Sequence, residues 1–263
     1  MRIQDKGQHV TAHFDSMVEL AEHTSTRKKP KGDRIAAQCS MDYVDATTTA
    51  KSGGYWENGV DRMADTATDT AAAQELDRPA IGLEQCGFAP CVPAFMAGSP
   101  DSMLAFNAVE PTRKLIRVGV SVAYSCRVTG EQVANRGRAI LANVNALERA
   151  GYSVELVAVW GAKDGDRSVQ VSMTVKESHD AYAPTSVAFA LTEDGFARRL
   201  LWTAAADLGR TGTYFDQNQM GYPADLKAAA DFDIWLPSFK QGYIFDTQEE
   251  ADSIIGAIFS ADK

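Results

Sequence analysis

Residues 115–160 constrain this chain more than any other stretch, because they hold two apolar strand patterns separated by one amphipathic helix. LIRVGVSVAY (115–124) sets Ile116, Val118, Val120, Val122 and Tyr124 on one face and small Gly119, Ser121 and Ala123 on the other. Alternation of this kind, rich in β-branched residues, predicts a strand at the centre of a sheet. In EQVANRGRAILANVNALERAG the apolar residues Val133, Ile140, Leu141, Val144 and Leu147 recur at helical spacing, and Gly151 stops the helix. SVELVAVW (153–160) is then a second strand. Two strands joined through a helix of this length lie parallel, with a right-handed crossover.

The remaining elements build on that unit. GAKDGDRS is a turn too short for anything but an antiparallel return, so SVQVSMTVK becomes a hairpin strand at the sheet edge. Its Val169, Val171, Met173 and Val175 face the core, and Gln170, Ser172 and Thr174 face water. A long helical region follows at 184–208, broken at Gly195, and then a short strand, FDIWLP (232–237). The final segment, FDTQEEADSIIGAIFS, has Asp246 and Glu249 in a capping-box pattern and a buried stripe of Ala251, Ile254, Ile255, Ile258 and Phe259. The expected fold is α/β: a mostly parallel, Rossmann-like sheet over residues 111–263 with one antiparallel edge strand. Residues 1–110 read as an irregular, loop-rich N-terminal extension. Its helical stretches are FDSMVELAEH, capped by Asp15 or Ser16, and ENGVDRMADTA, with tight turns from residue 81 and a small helix at 100–106.

Charge bears on partners. The chain of 263 residues carries 26 Lys+Arg against 35 Asp+Glu, a formal −9. Residues 1–34 hold seven basic side chains and five acids, which leaves the rest at −11. An acidic body repels nucleic acid, so polyanion contact is confined to the segment RKKPKGDR, with Arg27, Lys28, Lys29, Lys31 and Arg34. No apolar run approaches the length of a membrane span and the first residues lack a signal-like apolar core, so a soluble, cytoplasmic protein is expected.

Motifs for common chemistry are missing. There is no GxxxxGK[ST] phosphate loop and no GxSxG nucleophile elbow, and GRTGT (209–213) reads as a helix-ending loop. Cys39, Cys86, Cys91 and Cys126 show no zinc-ligand spacing and are expected as reduced thiols, with a Cys86–Cys91 disulfide as the lesser reading. Cys126 follows the first strand and is expected to pack rather than react. His9 and His13, four apart, could share a metal on a helix, but a solvated pair is the better reading without an HExxH glutamate. His179, at a strand end, is weighed as an acid/base group against a surface loop. Arg127, Arg136 and Arg138 are candidates for an anion-binding patch, whereas Arg198 and Arg199 are expected in salt bridges.

The order of strands and helices from residue 113 to 260 is similar to the core of von Willebrand factor A domains. Those domains hold a divalent ion with an Asp-x-Ser-x-Ser motif after the first strand. Here the aligned positions are Ala123, Ser125 and Arg127, so the resemblance implies a degenerate, metal-free site. From about residue 55 onward the chain also resembles an uncharacterised domain family recurrent in tailed-phage genomes. VPAFMAGSPDSML, the NRGRAILANVNALERAGYSVEL helix and strand, VKESHDAYAPTSVAFAL and RRLLW carry the likeness, with Gly98, Pro100, Met103, Arg198 and Arg199 at matching positions. The expectation is a phage-encoded, non-enzymatic interaction protein without a cofactor, which binds a phage or host protein in the host cytoplasm. The alternative is a nucleic-acid accessory protein that contacts single-stranded DNA through residues 27–34, with Tyr55 and Trp56 as stacking platforms.

Overall fold

The computed structural model describes residues 1–26, 39–56, 81–86, 88–106, 114–125, 127–164, 166–180, 184–208, 222–223, 232–238 and 245–261. In chain order the elements are β1 (Arg2–Asp5), β2 (His9–Phe14), α1 (Met17–Ser25), α2 (Tyr43–Lys51), β3 (Ile81–Glu84), β4 (Ala89–Pro90), α3 (Val92–Met96), β5 (Met103–Phe106), β6 (Lys114–Ser121), α4 (Gly130–Arg149), β7 (Tyr152–Asp164), β8 (Arg167–Lys176), α5 (Pro184–Thr192), a π-helical turn (Phe196–Leu201), α6 (Trp202–Leu208), β9 (Tyr222–Pro223), β10 (Ile234–Leu236) and α7 (Gln248–Ala261). They divide into two compact units, Met1–Thr66 with Lys114–Lys263, and Ala67–Arg113.

The large unit is built on a sheet of order β1-β2-β8-β7-β6-β10, with β9 also paired to β7. β6 is an interior strand next to the edge strand β10 and parallel to both β7 and β10, and β7 pairs antiparallel with β8 through a tight hairpin that closes on the Asp164–Arg167 pair. The strands follow the sequence periodicity, but Gln170, expected to face water, is buried, and the register of β7 against β8 shifts between Leu156 and Val157. One face holds Val118 and Val120 of β6, Leu156, Ala158 and Trp160 of β7, Val169, Val171 and Met173 of β8, and Ala12 and Phe14 of β2. These merge with the buried stripes of α1, α4, α5 and α7 in one core. α4 packs between α5 and α7, while α1 meets α2 and α6.

The helix ends have local causes. Thr129 caps α4 in a full capping box with Gln132, and Gly151, at φ +89°, takes the left-handed conformation just past its end. Ser16 caps α1, accepting from the Glu19 backbone. α7 starts one residue later than its sequence pattern predicts: the reciprocal bonds join Thr247 and Glu250, not Asp246 and Glu249. Of the expected stripe Ala251, Ile255 and Phe259 are buried, and Ile254 and Ile258 pack half-buried against the core.

Three expectations are corrected. β8 is not an edge strand, because β2 pairs with it in parallel from His9↔Ser168 to Phe14↔Met173, and β1 adds antiparallel beyond β2. Residues 1–14 therefore complete the sheet and α1 and α2 pack on its core, so the chain start is no loop-rich extension. The edge of β8 supplies unpaired backbone groups, which a strand from the chain start satisfies. In the small unit, residues 103–106 form a strand rather than a helix, since β5 pairs with both β3 and β4. The predicted helix ENGVDRMADTA starts at the edge of the described residues and lies beyond them.

Candidate functional site

The loop between β6 and α4 lies at the C-terminal end of the parallel strands, where open α/β sheets bind ligands. Ala123 and Tyr124 are buried at its start, Ser125 and Arg127 are exposed, and Cys126 lies outside the described residues. Beneath the loop sits Arg198, only 2% exposed. Its guanidinium pairs with Asp194 at 2.6 Å and donates to the carbonyl oxygens of Ser125 at 3.1 Å and Val128 at 2.6 Å. A buried cation thus satisfies the inward carbonyls of the loop and is itself neutralised by a carboxylate.

The acidic side of this cluster comes from the break between α5 and the π-helical turn. Glu193 and Asp194 are both almost fully buried. The Ser40 hydroxyl bonds Glu193 and lies 2.5 Å from Asp194 Oδ1, and the Ser40 N–H donates to the same oxygen at 3.0 Å. Burial pushes the Glu193 carboxyl above its usual range; the Ser40 hydrogen bond opposes this, and the neighbouring Asp194 charge adds to it. Cys39, next to this cluster, has its thiol raised mainly by burial. The helix is broken as expected, but at Glu193 rather than Gly195, which already has helical backbone, and the π-helical turn that follows carries Arg198.

The other arginines are structural. Arg136 is buried and donates to the Pro237 carbonyl at 2.8 Å, while Arg138 bonds Gln248 at 2.7 Å and also Asn135. Arg136 is thus tied to the end of β10 and Arg138 to the start of α7, so with Arg127 they do not form a surface anion patch. Arg199 donates to the Met41 carbonyl at 3.3 Å. His179 does not join the loop either. β8 runs antiparallel to β7, which puts its last residues beside the first half of β7, at the opposite end of the strands from Ser125. His179 is there 79% exposed, 3.6 Å from Asp180.

His9 and His13 lie on β2, not on a helix. Each faces a serine of β8: His9 Nδ1 is 2.7 Å from Ser168 Oγ, and His13 Nδ1 is 2.9 Å from Ser172 Oγ. Four residues along a strand separate them by about 13 Å, too far to share one ion. Among the described residues no group of three or more His, Cys, Asp or Glu is arranged to hold a metal. Cys86 and Cys91 are free thiols. The basic segment 27–34, with Arg27, Lys28, Lys29, Lys31 and Arg34, lies outside the described residues, as does GRTGT.

Gly98, at φ +72°, closes the end of α3, and its N–H donates to the Phe95 carbonyl. Gly98 and Pro100 lead into Met103, the first residue of β5, so the Gly-x-Pro-x-x-Met turn belongs to the small unit. Arg198 and Arg199, the other matching pair, sit on the π-helical turn. The match to a family extends over both units: residues 2–256 fit the domain of unknown function DUF7192. The chain belongs to that family. No curated protein and no solved structure matches the chain. Among the described residues of this DUF7192 member, no helix is long and apolar enough to cross a membrane.

The salt bridge expected of Arg198 is the one to Asp194, but the bonds to the loop carbonyls and the part played by Ser40 were not legible in the sequence. The cluster's one visible trace was the acidic pair before Gly195 with two arginines just after it. Ser40 stands 153 residues from Glu193, and no local pattern links them.

Proposed function

We propose that this protein is a phage-encoded, non-enzymatic interaction protein whose A-type domain docks a protein partner through the β6–α4 loop. The observation that carries this reading is Arg198. A-type domains place a divalent ion at this loop, and here a buried guanidinium bonds the loop carbonyls instead, with Ala123 in place of the first carboxylate. Support for the A-type reading also comes from the strand order: β8, β7, β6 and β10 lie side by side as third, second, first and fourth, with the third antiparallel. A loop fastened from below loses little conformational entropy on docking, and it offers Ser125 and Arg127 outward. Phage origin and a host-cytoplasm setting rest on the resemblance carried by Gly98, Pro100, Met103, Arg198 and Arg199.

Affinity capture from infected cells tests the reading. The same specific protein should be recovered with and without EDTA and lost on Arg127→Glu, with the thermal unfolding of that variant unchanged. Recovery of the bait alone, or loss of the partner in EDTA, would overturn it. A second reading, contact with single-stranded DNA, is favoured by the basic cluster at 27–34. Replacing Arg27, Lys28, Lys29 and Lys31 by Glu should then abolish a gel shift that weakens steeply with salt, and absence of any shift at low salt removes this reading.

A further inference from the structure

The sheet face opposite the helices carries a cavity of about 440 Å³ that the docking reading does not use. Its floor is Gln170 of β8, 6% exposed. Across the strands Gln170 is in register with Thr11 of β2 and with Gly161 of β7. The Gln170 carboxamide has no hydrogen-bond partner among the described residues, although it carries two donors and an acceptor. The amide opens onto the cavity, so a molecule bound there meets its two donors and its acceptor.

The other lining groups define the ligand by what they leave over. Arg117 pairs with Glu155 at 3.0 Å, and Arg2 pairs with Asp15 at 2.6 Å. His13 is held between Ser172 and Thr174, and burial favours its neutral form. The cationic groups are therefore balanced, and Glu177 adds one more carboxylate to the lining. An anionic ligand would meet that carboxylate with both arginines already engaged. The remaining capacity consists of neutral donors and acceptors, Gln4, Thr11 and Gln170, with a carboxylate that accepts from hydroxyls. We propose that this cavity binds a neutral, polyhydroxylated ligand of the saccharide class, with the Gln170 carboxamide bridging adjacent hydroxyls. Its volume falls within the range of small-molecule sites.

The test is a panel of glucose, galactose, mannose, maltose and lactose against the full chain, read by saturation-transfer NMR and calorimetry, with inorganic phosphate and AMP as controls. At least one saccharide should bind, and Gln170→Leu should weaken it about tenfold or more while the variant unfolds at no lower temperature than the wild type. If Gln170→Leu does not fold, Thr11→Val provides the same loss of affinity with smaller disturbance. No saccharide binding, saccharide binding unchanged by these substitutions, or preference for phosphate or AMP would overturn the proposal. None of these variants touches the Arg127 loop, so a negative result leaves the docking reading to its own experiment.

Discussion

Glu193 carries a carboxyl that the fold holds in an unfavourable place for its charge. Burial raises its pKa, and the unfolded chain has no such burial. The folded state then binds a proton more tightly than the unfolded state. This lowers stability as pH climbs from the ordinary glutamate range through the raised value. Glu193→Gln removes the titration and keeps an oxygen for Ser40. The variant should match the wild type in acid and become the more stable of the two as pH rises. Thermal unfolding followed from about pH 4 to about pH 8 checks this, and parallel curves would rule it out. His13 acts in the opposite sense: burial and Arg2 lower its pKa, so its contribution is present above about 6.5 and fades as pH falls below it. Both histidines on β2 were visible as a spaced pair in the sequence. Their serine partners on β8 were not, since pairing depends on which strand docks beside them.

Two glycines on helices illustrate how packing sets the sign of a substitution. Gly137 lies in the middle of α4, and a Cβ there would stand 2.4 Å from the Leu191 carbonyl oxygen of α5. Backbone of one helix meets backbone of the other, so Gly137→Ala should destabilise by about 1–3 kcal/mol despite the better helix propensity of alanine. Gly256 in α7 has open space around the same position. Gly256→Ala should therefore stabilise, by up to about 1 kcal/mol. Denaturant midpoints at constant slope measure both, and a gain at Gly137 would show that α4 and α5 separate freely. From the sequence, the helix NRGRAILANVNALERAG was legible with its stop at Gly151, because apolar spacing and capping act within a turn or two. The reason for a glycine inside it was not, since the clashing atom belongs to another helix.

The large unit depends on its first residues more than the sequence pattern suggests. Residues 111–263 contain the βαβ core, the hairpin and α7, and read as a domain complete in itself. In the fold, β2 covers one edge of β8, and Phe14, Met17 and Leu20 enter the core. A chain beginning at residue 15 should expose that edge and associate or unfold, detected as high-molecular-mass species in size exclusion and loss of cooperative melting. A monomeric, cooperatively melting product would instead make β1 and β2 dispensable. The charge division is another property of the chain as a whole. The body is acidic, and its buried arginines 136 and 198 are absorbed in internal contacts.

Periodicity and capping are short-range, so the strands at 115–124 and 153–160, the helix between them, the hairpin to β8 and the terminal helix could be read from neighbouring residues. The edge that β8 leaves open, the strand that fills it, the guanidinium under the β6–α4 loop and the unpartnered amide of Gln170 depend on residues far apart in the chain. Those placements are settled by competition among whole elements for the same unpaired backbone and the same buried volume, and a one-dimensional pattern does not encode that competition.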